Sequence, residues 1–156
     1  MQQINSILNN PHSSQSVHDT IEIAKEFAKI LRPGDTAIFI GDLGAGKTHF
    51  IKGICNYFEV EEEATSPTFT LINVYYGYYE QSTLEIAHID LYRIENPNEL
   101  HNIGFNDYLY DNTMIKLIEW PQRAEEAIAG NYQYLVEISI DDEDESKREI
   151  IIKTSK

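Results

Sequence analysis

One octapeptide constrains this chain more than any other stretch. Gly41-Asp42-Leu43-Gly44-Ala45-Gly46-Lys47-Thr48 reads G-x-x-x-x-G-K-T, set between an apolar run, Thr36 to Ile40, and a helix-like run, Lys47 to Phe58. That order supplies the strand, loop and helix the motif needs. Its glycines let successive backbone N–H groups turn inward around phosphate oxygens, and the helix adds unpaired N-terminal donors and the positive end of its dipole. Lys47 is expected to reach the β- and γ-phosphates of a nucleotide, and Thr48 to offer its hydroxyl to Mg²⁺.

The rest of the chain reads as an α/β frame for that loop. Residues 1–16 read as a weakly ordered lead-in, and residues 17–156 as one domain. Asp19 or Thr20 caps a helix in which Ile21, Ala24, Phe27, Ala28 and Leu31 share a face. Thr36 to Ile40 is a buried central strand. Leu71 to Tyr76 and Leu84 to Leu91 read as strands joined through Gly77 to Ser82 into an antiparallel hairpin, with Tyr75, Tyr76, Tyr78 and Tyr79 as its cross-strand aromatics, the favoured reading, or as a base-stacking platform. Asn96-Pro97-Asn98-Glu99 starts a helix and Gly104 breaks it. Met114 to Ile118 is a short strand delivering Glu119 and Trp120, Pro121 opens a helix that closes at Gly130, and Tyr134 to Ile140 and Glu149 to Lys153 are the last strands. The expected fold is therefore a single P-loop NTPase domain of the α/β class, a mixed parallel and antiparallel sheet of about six or seven strands with helices on both faces.

Composition narrows the partners. With 26 acidic against 12 basic residues and a formal charge of −14, the chain would repel a nucleic-acid backbone, so neither DNA nor RNA is expected as a direct ligand. A lone cysteine, Cys55, can form neither an internal disulfide nor a cysteine metal site, which suits a reducing cytosol. No signal peptide and no membrane span are expected.

A phosphate loop needs a second carboxylate near Mg²⁺, usually at the end of a neighbouring strand. Asp90 ends the run Leu84-Glu85-Ile86-Ala87-His88-Ile89 and reads either as that metal-shell acid or as a strand-end turn acid. Strand periodicity puts His88 on the same face, where it reads as a hydrogen-bonded structural histidine. Glu119 either completes the metal shell, the favoured reading, or positions the attacking water. Ser66 and Thr68 resemble a segment whose hydroxyls sense γ-phosphate and Mg²⁺, or form a plain serine-proline turn. Arg93, Arg123 and Arg148 are candidates for a cation on the developing charge. No Asn-Lys-x-Asp segment is present, so adenine is the default base and ATP the expected nucleotide.

Taken together, Gly41 to Thr48, Ser66-Pro67-Thr68-Phe69-Thr70-Leu71, His88-Ile89-Asp90-Leu91-Tyr92-Arg93 and Glu119-Trp120-Pro121 resemble, in order and spacing, the bacterial TsaE (YjeE) family, from roughly Thr20 to Arg148. The resemblance implies a Mg²⁺-dependent ATPase, weak alone, that serves with TsaB and TsaD in making threonylcarbamoyladenosine beside the anticodon of tRNA, with tRNA met only through that complex. It further implies Lys47 and Thr48 as nucleotide and metal residues, Asp90 as the acid needed for ATPase activity, Glu119 as a metal-site acid, Trp120 as its neighbour and Arg148 as a nucleotide-side arginine. His49 departs from the usual Thr or Ser of the family, and Gln122 from a common acid. A small-molecule kinase and a nucleotide-gated binding module with negligible turnover are the alternative readings. Against the kinase, no lid insertion or arginine-rich acceptor segment is visible.

Overall fold

The computed structural model describes residues 4–67 and 70–155. In chain order the elements are α1 (Ile4–Ile7), β1 (Pro11–Ser14), α2 (Val17–Ala28), β2 (Thr36–Ile40), α3 (Lys47–Tyr57), β3 (Ile72–Tyr79), β4 (Ser82–Asp90), α4 (Asn98–Asn102), α5 (Phe105–Leu109), β5 (Ile115–Glu119), a 3-10 turn (Pro121–Ala124), α6 (Glu125–Ile128), β6 (Tyr134–Ile140) and β7 (Arg148–Thr154). The strands form one seven-stranded sheet in the order β1-β7-β6-β2-β5-β4-β3. The inner strands β6, β2, β5 and β4 run parallel, and the pairs β3–β4, β6–β7 and β1–β7 are antiparallel. The mixed P-loop sheet expected from the sequence is therefore present, with β2 at its centre.

Alternation along the buried strands feeds two cores. On one face, Ala37 and Phe39 of β2 meet Phe27 of α2 and Phe50, Ile51 and Ile54 of α3. On the other, Ile38 joins Ile89, Ile118, Leu100, Phe105, Leu109 and Ile128. Phe50 sits in the first core with its ring 5.7 Å from Phe39 and 5.9 Å from Phe27. Burial of each such ring contributes about 1.5–3 kcal/mol, so the helix carrying the loop is fixed to the strand feeding it. Close approach of α2 and α3 depends on Gly53, where a Cβ would lie 2.6 Å from both Ala24 Cβ and Ile21 O.

Three boundaries differ from the sequence reading. The lead-in of residues 1–16 contains α1 and an edge strand, β1, whose Pro11 and Ser14 pair with Ile151 and Arg148 of β7. Pro-His-Ser-Ser carries no strand propensity; its place comes from β7's hydrogen bonds and a proline tolerated at the start of an edge strand. The second helix begins at Val17, because Ser16 caps it by accepting the Asp19 N–H at 3.0 Å while Asp19 accepts the Gln15 N–H at 2.9 Å. Asp19 thus lies inside the first turn rather than at the cap. The hairpin turns on Glu80 and Gln81, both at positive φ (47° and 69°), a primed two-residue turn built without the usual Gly or Asn. Gly77 stays within the strand, since a Cβ there would lie 2.4 Å from Phe58 O. Tyr76 and Tyr78 face Glu85 and Thr83 across the hairpin rather than other aromatics.

Candidate functional site

The parallel strands β2, β5 and β4 end together, and the register decides what they present there. Phe39 lies opposite Glu119, and Asp90 opposite Glu119 on its other side. The loop after β2 folds over these ends. Gly41 presses against β6, where a Cβ would meet Ile138 O at 2.6 Å. Gly44 and Gly46 take φ of 80° and 109°, left-handed values that favour glycine. A Cβ on either would meet no protein atom within 4 Å, so their demand is conformational and the space they border is free for phosphate oxygens. Asp42, Leu43, Gly44, Ala45, Gly46, Lys47, Thr48 and His49 line a cavity of about 190 Å³ together with Ser66, Asp90, Glu119 and Trp120.

Lys47 is buried and folds back on its own loop. Its Nζ donates to Gly41 O and, at 3.3 Å, to Asp42 O, and sits 4.3 Å from the centre of the Trp120 ring. Burial pushes its pKa below the usual lysine value, while Glu119, Asp90 and Asp42 pull the other way. A cation short of solvent gains from an anionic ligand, and the three acids beside it favour one that arrives with a cation of its own. Trp120 has a left-handed backbone, φ 58°, and its ring lies 4.9 Å from that of Tyr92, tilted by 51°.

The two acids are held differently. Asp90 accepts the Tyr92 N–H at 3.0 Å on Oδ1 and the Ser66 hydroxyl at 3.3 Å on Oδ2. Ser66 is placed by the loop that Tyr75 anchors, its hydroxyl accepting the Thr65 N–H at 3.0 Å and donating to Thr65 O at 3.1 Å. Thr68 lies outside the described residues. Glu119 meets His88 Nε2 through Oε2 at 2.6 Å, with both side chains buried. Sequence reasoning placed His88 on the face of Asp90 but missed this partner, because the stagger between β4 and β5 is set by the sheet and leaves no local mark.

Arg148, the arginine the family resemblance puts on the nucleotide side, packs against the glycine loop itself. It lies outside the cavity lining, on the carbonyl side of the loop. Its Nε donates to Ala45 O at 2.9 Å and its Nη2 to Gly44 O at 3.4 Å, while Nη1 holds Lys147 O at 3.1 Å and Glu145 O. It therefore satisfies the carbonyls of Gly44 and Ala45, while the Ala45 N–H is taken up within the loop by Asp42 O at 3.0 Å. Arg123 lines a separate hollow beside α4, and Arg93 is not among the cavity residues.

The donors present fit Mg²⁺ in one way. Among the described residues no group of three or more His, Cys, Asp and Glu side chains forms a self-contained metal site. One hydroxyl and one or two carboxylates beside a phosphate cradle is the arrangement Mg²⁺ takes when a nucleotide supplies its remaining oxygens. A larger groove of about 730 Å³ on the far side of the loop is lined by Asp42, Glu137, Asp141, Asp142, Glu145 and Glu149, and that charge repels a triphosphate. No helix among the described residues is long and apolar enough to cross a membrane.

A glycine loop over the ends of parallel strands, followed directly by a helix, places the chain in the P-loop NTPase class of α/β folds. The family model for "Threonylcarbamoyl adenosine biosynthesis protein TsaE" matches residues 14–150. A curated TsaE protein of Rickettsia conorii is 36% identical, over 88% of this chain and 74% of its own length. That of Bacillus subtilis is 35% identical, over 81% of this chain and 77% of its own. The crystal structure of Bacillus subtilis YdiB superposes with a TM-score of 0.67 at 29% identity, covering 93% of this chain and 84% of the other. The chain belongs to the TsaE family of tRNA threonylcarbamoyladenosine biosynthesis proteins.

Proposed function

We propose that this protein binds and hydrolyses ATP with Mg²⁺ in the cytoplasm, as the ATPase component that works with TsaB and TsaD in threonylcarbamoyl modification of the adenosine beside the tRNA anticodon. The observation that carries the reading is the convergence of Lys47, Thr48, Asp90 and Glu119 on one cavity beneath the glycine loop. In this reading the N–H groups of residues 42–48 cradle the phosphates, and Lys47 exchanges its loop carbonyls for the β- and γ-phosphates. Thr48 and Asp90 would hold Mg²⁺, with Glu119 beside them. The metal, when bound, neutralises charge that develops on the phosphates. Trp120 walls the cavity against water, and Ser66 responds to the occupancy of Asp90 through their shared hydrogen bond.

Partner dependence follows from two features. Neither Arg93 nor Arg123 lines the cavity and Arg148 is engaged with the loop, so in this reading a second cation on the transferring phosphate, beyond Lys47, is an arginine supplied by a partner. The charge of −14 suits docking on basic partner surface that otherwise holds tRNA, in competition with it. The deciding experiment is ATP turnover by the purified chain, alone and with TsaB and TsaD, beside Lys47→Ala and Asp90→Ala. Slow turnover alone, at least about tenfold faster with partners and lost in both variants, is the expected result. Turnover indifferent to the partners would refute the partner-completed mechanism, and phosphate transferred to an added small acceptor would replace it with a kinase. Simultaneous, mutually indifferent binding of tRNA and this chain to the partners at low salt would end the competition idea.

A further inference from the structure

His88 is completely buried, yet only half satisfied. Its Nε2 is 2.6 Å from Glu119 Oε2, and its Nδ1 is the one buried side-chain nitrogen or oxygen without a hydrogen-bond partner among the described residues. Leaving a polar atom unpaired in a core costs about 1–3 kcal/mol, and an apolar side chain of similar volume would avoid that cost. Packing alone therefore does not account for an imidazole here. The Glu119 carboxylate, which lines the cavity beneath the glycine loop, has no other hydrogen-bond partner among the described residues, and the backbone carbonyl of Glu119 accepts the Leu91 N–H at 3.1 Å. With a carboxylate as acceptor, Nε2 is the donor. One carboxylate oxygen is thus fixed from behind, and among the described residues no side chain or backbone N–H donates to the other. The parallel pairing of β4 with β5, in which His88 lies opposite Leu117 and Asp90 opposite Glu119, lets the imidazole reach the acid two residues further along the neighbouring strand.

We propose that His88 is a positioning residue for the site: its Nε2–H locks the Glu119 carboxylate in a single orientation in the phosphate-loop cavity. This rests on the hydrolysis reading above for its kinetic consequence, though not for the hydrogen bond itself. His88 touches neither nucleotide nor metal and acts through Glu119 alone. Removing a group that orients a site acid is typically felt as about a 10- to 100-fold loss. That loss should fall on kcat rather than on ATP affinity, because the glycine loop and Lys47 are left intact.

The test compares wild type, His88→Phe, His88→Gln, Glu119→Gln and the His88→Phe/Glu119→Gln double variant in the presence of TsaB and TsaD. MgATP affinity is followed in each through the single tryptophan, Trp120. His88→Phe is expected to lower kcat by about 10- to 100-fold with affinity changed by no more than about threefold. His88→Gln, which can still donate from its amide, should recover most of the rate, and the double variant should be no slower than Glu119→Gln alone. A double variant slower by the product of the two single effects, or affinity falling in step with kcat, overturns the proposal. A histidine that only fills space would instead show a loss of thermal stability in His88→Phe with kcat preserved. Should wild type show no turnover at all, the hydrolysis reading fails by itself, and the imidazole proton then decides for His88. A slowly exchanging His88 Nε2 proton, resolved by nitrogen-15 NMR and moved upfield in Glu119→Gln, sustains the assignment, and absence of that proton removes it.

Discussion

At the scale of single residues, the loop is held under tension between binding and stability. Lys47 illustrates this, since burial lowers its pKa and the neighbouring acids only partly offset that. Between this lowered value and the unfolded lysine value of 10.5, the folded chain has released a proton that the unfolded chain still holds. The Lys47 contribution to stability therefore rises with pH across that window and is least favourable below it. Replacing Lys47 with Met is expected to remove this part of the slope, measured by urea unfolding between about pH 8.5 and 10, while abolishing ATP binding. The slope from Lys116, whose pKa burial also lowers, stays in the variant. Arg148 acts from the opposite side of the loop. Its guanidinium spans Gly44 O and Ala45 O in a fork that an ammonium cannot reproduce. Arg148→Lys is expected to weaken ATP binding by about tenfold, which is about 1.4 kcal/mol, with the melting temperature little changed, and equal affinity in calorimetry would show that the clamp is dispensable.

At the scale of elements, legibility followed how local the cause was. The loop, its strand and its helix were readable because the motif and its flanks lie within one short stretch, and Asp90 and Glu119 because each ends an apolar run. The capping of the helix at Asn98–Asn102 was equally local, Asn96 accepting the Asn98 N–H at 3.0 Å and Glu99 the Asn96 N–H at 3.1 Å. What sequence did not disclose is set by a distant partner. Pro11–Ser14 is a strand only because β7 lies beside it, and His88 finds Glu119 only through the stagger of β4 against β5. Gly77 belongs with these. It reads as a turn residue, but it permits β3 to pass the end of α3, where Tyr78 N–H donates to Phe58 O at 2.8 Å. Gly77→Ala drives a Cβ into that carbonyl and is expected to cost about 1–3 kcal/mol in urea unfolding. Its ATP affinity should be unchanged, because Gly77 is not among the residues lining the cavity. An unaltered unfolding midpoint would mean the chain shifts there at no cost.

At the scale of the whole molecule, charge and topology set the behaviour. A surface carrying −14 repels itself, and the repulsion is unscreened when the Debye length is long, about 30 Å at 0.01 M salt against about 8 Å at 0.15 M. Thermal stability is expected to rise as NaCl is increased over that range, while association with a basic partner weakens. A flat melting temperature across the series would show that the carboxylates are too dispersed to act on one another. Topology has a consequence in time. The clamp on the glycine loop belongs to a strand made 104 residues after Gly44, and the same strand is the one β1 pairs with among the described residues. At about 5–20 residues per second, the growing chain carries a finished motif for about 5–20 s before the arginine that braces it has been translated. Ribosome-bound chains of increasing length are expected to retain ATP only once Thr154 has cleared the exit tunnel, so that competence for the nucleotide arrives with the closing of the sheet rather than with the motif.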